Sequence, residues 1–462
     1  MNGFFKRSPQ QERIVAERPD AAADRRIALM LYLLMAAIRV VYSLYHPPRF
    51  AFSMSDSENY YLSGLYFAGT GSICYPVPIK TAWIMPGISL LIGGLSLLFP
   101  EGAVLFWAIR VTWILIGSLA AAFLYRSIRL FRLPRWIAVL SALCYMLPWY
   151  IQIDCYVQTE GPAFAFFAAA LYYGLRLGTE DALPSDRFKF GLALVCGILF
   201  RASTILLSPF MAVWWILCRK HSFRHFLRSV SVAALPLLML LLPWTVRNAV
   251  VFRGWIPLTY ASGDPVYEGT FVGEGIPTEE ELRELNDGYD AEEEVRKAHP
   301  SLFDEQGKPI DENVEQYVSH LVLATLGRHR LKQWYRLNPS AFLKSYLYSK
   351  PKQLLNDVWY WDPVPGISLR AAVELRKGNL LLCAAAGLLS LFLKRNRKAV
   401  WFLGISYLVN LYLVAASLPL DRYGQAIMPY RLILGAFGLS LITDFLLRLK
   451  ASISPDMKQP RP

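Results

Sequence analysis

The chain has 462 residues, is 55% hydrophobic and only 18% charged, and carries 13 Trp, 25 Tyr and 26 Phe. That composition, laid out in several long apolar runs, excludes an ordinary soluble enzyme and indicates an all-α polytopic membrane protein. The net charge of +13 does not signal nucleic acid, because the basic residues fall in short clusters between the apolar runs and read as topology determinants.

Residues 1–26 are polar and charged and show no cleavable signal, so they are expected to form a cytoplasmic segment. Arg25 and Arg26 precede a first span, Ile27–Tyr45, and favour a cytoplasmic N-terminus. The first outer loop, 47–102, then places Asp56 and Glu58 beside the membrane surface. Ser55, three residues before Glu58, reads as a capping box, which starts a helix there. Tyr60, Gly64, Leu65 and Phe67 give that helix a greasy side and a small-residue side, as in a helix lying along a membrane.

Charge decides the next step. Arg126, Arg129, Arg132 and Arg135 make a basic loop that belongs inside. Ala103–Tyr125 is long enough to cross. If Trp83–Phe99 crossed as well, the basic loop would land outside, so Trp83–Phe99 is expected to dip in and return, broken at Pro86 and Gly87.

The remaining runs alternate. Trp136–Ile151 goes out and Gly161–Leu177 returns, with Gln152 to Glu160 in the second outer loop. Phe188–Cys218 forms two helices turning at Arg201, and Val230–Trp244 goes out again. The stretch 247–376 is expected to be external and mainly helical. It has an acidic helical piece from Glu279 to Glu294, amphipathic pieces around Trp334–Tyr346, and an aromatic anchor at Trp359 and Trp361. Spans within 377–447 flank a cytoplasmic basic cluster, Lys394 to Lys398, and residues 448–462 form a cytoplasmic tail. The count is about ten spans. Residues 27–246 then make a first transmembrane module and 377–447 a second.

In this layout Asp56, Glu58, Asp154, Tyr156, Glu160, Arg201, Arg247, Asn248, Arg422 and Tyr423 all fall on one face. Charged groups near membrane depth are expensive and are usually paired or functional. Carboxylates and arginines together suit a reaction in which a lipid phosphate leaves while a hydroxyl attacks. One carboxylate accepts the proton and the arginines hold the phosphate charge.

Each residue also has a plainer role. Glu58 completes the capping box, and Asp56 and Glu160 complement the start of a helix. Arg201, Arg422 and Lys80 anchor at the headgroups. Arg110 pairs structurally or faces the phosphate, and Asp264, between Gly263 and Pro265, belongs to a turn. His221 and His225 belong to a basic loop rather than to a metal site. The six cysteines have no metal-ligand spacing, although Cys74 and Cys155 share a face and could pair.

The order of motifs resembles a known group. An outer-loop acid, Asp56, has Tyr60 four residues on, and Trp83-Ile-Met-Pro-Gly87 follows. Next come Thr159-Glu160, Arg201, Pro243-Trp-Thr-Val-Arg-Asn248 and Gly254-Trp-Ile-Pro257. Gly263, Tyr267-Glu-Gly269 and Arg422-Tyr423 complete the series. This is similar to the bacterial polytopic C-type glycosyltransferases, the group of protein O-mannosyltransferases and lipid A aminoarabinose transferases. The resemblance implies a helical bundle with juxtamembrane helices in the first outer loop. It also implies transfer of a sugar from a polyprenyl-phosphate donor to a lipid, polysaccharide or protein at the outer membrane face. The His-rich metal features of some relatives are absent, and the sequence gives no reason to invoke a metal.

By that analogy Asp56 is the base, and Glu58, Glu160 and Tyr60 stand near the acceptor. Arg247, Arg422, Arg201, Lys80 and Tyr423 contact phosphate or donor. Protein mannosyltransferases carry adjacent Asp-Glu, whereas Ser57 intervenes here. A lipid-linked saccharide flippase is the alternative, and it would place ionisable groups at the membrane midplane within paired repeats. No internal repeat is evident. A non-catalytic subunit of envelope assembly is the third reading.

Overall fold

The computed structural model describes residues 20–46, 55–218, 223–261, 263–285, 288–356, 358, 360, 363–393 and 396–453. Several expectations lie outside these residues: the N-terminal segment before Asp20, His221, Trp359, Trp361, Lys394, Arg395 and most of the C-terminal tail. The side chains of Ser55 and His225 are likewise outside. Among the described residues the chain is helical, with no strand.

Helices α1 (Ala21–Tyr45), α2 (Ser55–Thr70), α3 (Gly87–Ser96) and α4 (Ala103–Leu130) open the fold. With 28 residues, α4 is about 42 Å long and spans the hydrocarbon core. The 10 residues of α3 reach only about 15 Å and cannot. Instead α3 packs along α2. A Cβ on Gly64 would stand 2.4 Å from an Ile92 methyl, so the small-residue side of α2 is what lets the two helices close. Asp24 accepts from Tyr125 and lies 3.1 Å from Arg129 and 3.2 Å from Arg135, so two of the four basic-loop arginines tie α1 to the end of α4 and to the residue that starts the next helix.

Trp136–Ile151 is not one helix. It divides into α5 (Arg135–Leu143), a single 3-10 turn and α6 (Pro148–Ile153), because Pro148 has no N–H to continue the ladder and serves instead as a helix start. Then α7 (Glu160–Arg176), α8 (Ser185–Phe200) and α9 (Leu207–Leu217) follow, with the break at Arg201 that the sequence led us to expect. Helix α10 (Phe223–Phe252) runs on past Arg247 and Asn248.

The acidic stretch folds as two short helices. The long connection between α10 and α17 contains α11 (Asp264–Gly269), α12 (Glu279–Leu285), α13 (Ala291–Ala298), α14 (Glu312–Leu337), α15 (Pro339–Lys344) and α16 (Lys350–Asn356). Three helices close the chain: α17 (Leu369–Ser390), α18 (Arg397–Ala416) and α19 (Met428–Ile453). Among the described residues, five helices are long and apolar enough to cross a membrane: α1, α4, α10 from Phe226, α18 and α19 to Leu449. The other helices counted among ten are shorter, or, like α17, carry several charged residues.

Helices α17 and α19 touch through glycine. A Cβ on Gly438 would lie 1.8 Å from the Ala386 carbonyl oxygen. Gly438→Ala should therefore part the two helices and cost about 1–3 kcal/mol, the usual penalty of overpacking. Thermal melting in detergent measures this, and an unchanged midpoint would contradict the contact.

Candidate active site

The acid at the start of α2 is positioned by its neighbours. Ser57, the next residue, turns inward, donating to the Val157 carbonyl at 3.0 Å and accepting from Gln158 Nε2 at 2.8 Å. That fixes α2 against the α6–α7 connection and turns Asp56 toward Arg422, whose Nη1 stands 3.1 Å from Asp56 Oδ2. The hydroxyl of Tyr75 donates to Asp56 Oδ1 at 3.1 Å. Burial, with Asp56 beside it, holds the Tyr75 phenol above its ordinary pKa, so it remains a donor.

Glu58 is exposed. Two residues of helix rotate a side chain by about 200°, so Asp56 and Glu58 face opposite ways and only Asp56 joins the cluster.

Arg422 comes from the turn between α18 and α19, and it joins two acids. Besides Asp56, its Nε lies 3.4 Å from Glu160 Oε1, and its Nη1 donates to Gln158 Oε1 at 3.3 Å. Glu160 is buried at the first turn of α7, where the helix N-terminus favours a negative charge. It also takes a short ion pair from Arg201, which lies at the break between α8 and α9. The Arg201 guanidinium stacks over the Tyr423 ring, 4.4 Å from its centre. Tyr60 is buried against Tyr75, with ring centres 5.4 Å apart.

Four of these groups, Glu160, Arg201, Arg422 and Tyr423, line a cavity of about 250 Å³ whose other walls include Phe164 and Phe167. Asp56 meets the same Arg422 guanidinium but does not line this cavity. Its side chain keeps 33% of its exposure, against 5% for Glu160. A single cation thus joins a half-open carboxylate to a partly open, largely apolar pocket.

Other groups expected on this face are used elsewhere. Asp154 is fully buried and lies 2.7 Å from Arg39 Nε, with Tyr145 donating to its other oxygen. Arg110 donates to Ser43 and to the His46 carbonyl, and Tyr156 packs under its guanidinium. Lys80 is exposed, and its backbone N–H donates to Asn313 Oδ1 at 2.9 Å. Cys74 and Cys155, which the sequence would let pair, are separate free thiols.

Arg247 does not meet Asp56 in the way the sequence suggested. It donates to the carbonyls of Ile73 and Thr81 at 3.2 and 2.7 Å. Those residues close the loop that presents Tyr75. The rest of its motif braces the returning chain: Trp244 donates to Leu258, and Asn248 to Ile256.

Sequence reasoning missed Tyr75 and Gln158, neutral groups with no charge to mark them. It also missed the pair formed by Asp264 and His320, 2.6 Å apart. His320 is packed between the rings of Trp83 and Tyr260, so α14 is docked against the same first loop.

Arg422→Gln should remove the charge that Asp56 and Glu160 share. Losing one preorganised cation lowers kcat about 10²–10³-fold. Initial rates with saturating donor measure this, and an unchanged kcat would remove Arg422 from the site.

Residues 78–245 match the family profile of dolichyl-phosphate-mannose-protein mannosyltransferases. A search of curated proteins gave no match. Among solved structures, the Saccharomyces cerevisiae protein O-mannosyltransferase Pmt1-Pmt2 complex bound to the sugar donor aligns at 16% identity and a TM-score of 0.39, over 58% of this chain and 39% of that one. ArnT from Cupriavidus metallidurans bound to undecaprenyl phosphate aligns at 13% identity and a TM-score of 0.40, over 94% of this chain and 81% of that one. Residues 78–245 are therefore similar to the dolichyl-phosphate-mannose-protein mannosyltransferases, one of the groups that the order of motifs resembles.

Proposed function

We propose that this membrane protein is a glycosyltransferase that moves a hexosyl or pentosyl group from a polyprenyl-phosphate donor to an acceptor hydroxyl or phosphate at the extracytoplasmic face. The observation that carries the reading is the sharing of Arg422 between Asp56 and Glu160, with Arg422 and Glu160 lining a largely apolar pocket. The family match of residues 78–245 supports the reaction class.

In this reading the donor phosphate lies in the pocket against Arg422 and Arg201, and the acceptor approaches from the more open side of Asp56. The acceptor oxygen attacks the anomeric carbon, its proton passes to Asp56, and the bond from that carbon to the phosphate oxygen breaks. The electron pair leaves with the polyprenyl phosphate, whose growing negative charge the two guanidinium groups hold. A single displacement of this kind inverts the anomeric centre. Glu160 orients both arginines, Tyr75 fixes the Asp56 rotamer, and the step calls on no metal.

Purified protein incubated with a panel of radiolabelled polyprenyl-phosphate sugars tests the proposal. Transfer to lipid, polysaccharide or protein by the wild type, lost in Asp56→Asn, is the expected result. Turnover of no donor in the panel would return the chain to the transport or scaffold readings.

A further inference from the structure

The long connection between α10 and α17 holds a second group of polar atoms that the transfer reaction leaves unused. Lys350, the first residue of α16, is fully buried, and its amine has no hydrogen-bond partner. That amine lies 3.7 Å from the centre of the Tyr346 ring and 6.0 Å from that of Trp334. The Tyr346 hydroxyl and the Trp334 Nε1–H are buried and unpartnered too. The two ring centres are 5.8 Å apart.

Three buried donors, one of them cationic, therefore lie on neighbouring groups, and beyond the Tyr346 ring face under the amine none has a hydrogen-bond partner, whereas buried polar groups in folded proteins are almost always answered. The neighbouring acid does not answer them. Glu274 is engaged with Lys344 at 2.5 Å and with the Ser349 hydroxyl at 2.7 Å. Burial pushes the Lys350 amine down to about 7, which favours taking up an anion and a proton together.

Backbone alone separates this group from the pocket of Arg422. A Cβ on Gly269 would stand 3.4 Å from the Lys350 amine and 2.5 Å from the Ser417 carbonyl oxygen, and Ser417 lines that pocket. Over the rings, a Cβ on Gly273 would come within 2.9 Å of the Trp334 ring. A side chain at either position would press on the groups that hold these donors in place.

We propose that Lys350, Tyr346 and Trp334 form a second oxyanion site, for a phosphate group, next to the pocket of Arg422. It stands on the geometry of the orphaned donors and holds whether or not sugar is transferred. Two sources share this chemistry: the headgroup of a polyprenyl phosphate and free phosphate.

Native mass spectrometry of the full chain in detergent, counting bound polyprenyl phosphate and bound inorganic phosphate, tests the site in wild type, Lys350→Met and Tyr346→Phe. One phosphate group is expected to be held about tenfold more weakly in Lys350→Met, and several-fold more weakly in Tyr346→Phe, with binding at Arg422 kept. Loss confined to the lipid identifies the headgroup, and loss confined to the inorganic ion identifies free phosphate. Unchanged counts and affinities for both ligands in both variants would overturn the proposal and leave the donors to water. Tyr346→Phe keeps the ring and its packing, so it decides the matter even where Lys350→Met fails to fold.

Discussion

Asp56→Asn is expected to lower kcat about 10²–10⁴-fold, the span over which a positioned general base contributes. The substitution is nearly isosteric, and two observations argue that the fold survives it. Tyr75 can still donate to the amide oxygen, and Arg422 still has Glu160 at 3.4 Å to balance its charge. The melting temperature should therefore stay close to that of the wild type while turnover collapses. KM for the donor should move little, because the proposed phosphate position is in the cavity lined by Glu160, Arg201 and Arg422, which Asp56 does not line. A variant that loses kcat alone has lost an interaction made only in the transition state. If Asp56→Asn retains wild-type kcat, the base lies elsewhere.

The second large effect is on stability. Arg39 and Asp154 are both fully buried, 2.7 Å apart, and Arg39 also donates to the carbonyls of Met35, Tyr145 and Tyr150. Asp154→Ala should cost about 3–5 kcal/mol, because it strands a guanidinium away from water. The double variant Arg39→Met, Asp154→Leu should regain most of that, since removing both charges also removes their desolvation penalty. Thermal or denaturant unfolding of the three proteins decides it. Equal stability of Asp154→Ala and wild type would mean that the pair is dispensable.

Much of the site was legible because charge in a membrane chain is conspicuous. Asp56, Glu160, Arg201, Arg422 and Tyr423 stand out against apolar runs, and the basic-cluster rule puts their loops on one face. The break at Arg201 was legible from a charge within an apolar run, and charge bookkeeping also kept the run after Pro86 from being read as a crossing helix, in keeping with the short α3 found there. What stayed hidden was partner choice. A sequence shows that Arg247 is a cation, but not that Ile73 and Thr81, some 170 residues away, would offer it carbonyls. Asp154 looked like its neighbour Glu160, and only the fold brings Arg39 to the first acid and Arg422 to the second. Tyr75 and Gln158 lack charge, so the charge pattern that marks the others does not single them out. The division of Trp136–Ile151 was readable from Pro148, and weighing that proline above the apolar length would have found it.

The shared guanidinium has a consequence for the reaction cycle. Two acids and two arginines already balance before any lipid arrives. Under the proposed function, an incoming phosphate would have to draw Arg201 and Arg422 away from their carboxylates, and the carboxylates would draw them back once the sugar had moved. Donor capture would then be a counter-ion exchange, in which the carboxylates that temper affinity also help the spent lipid carrier leave.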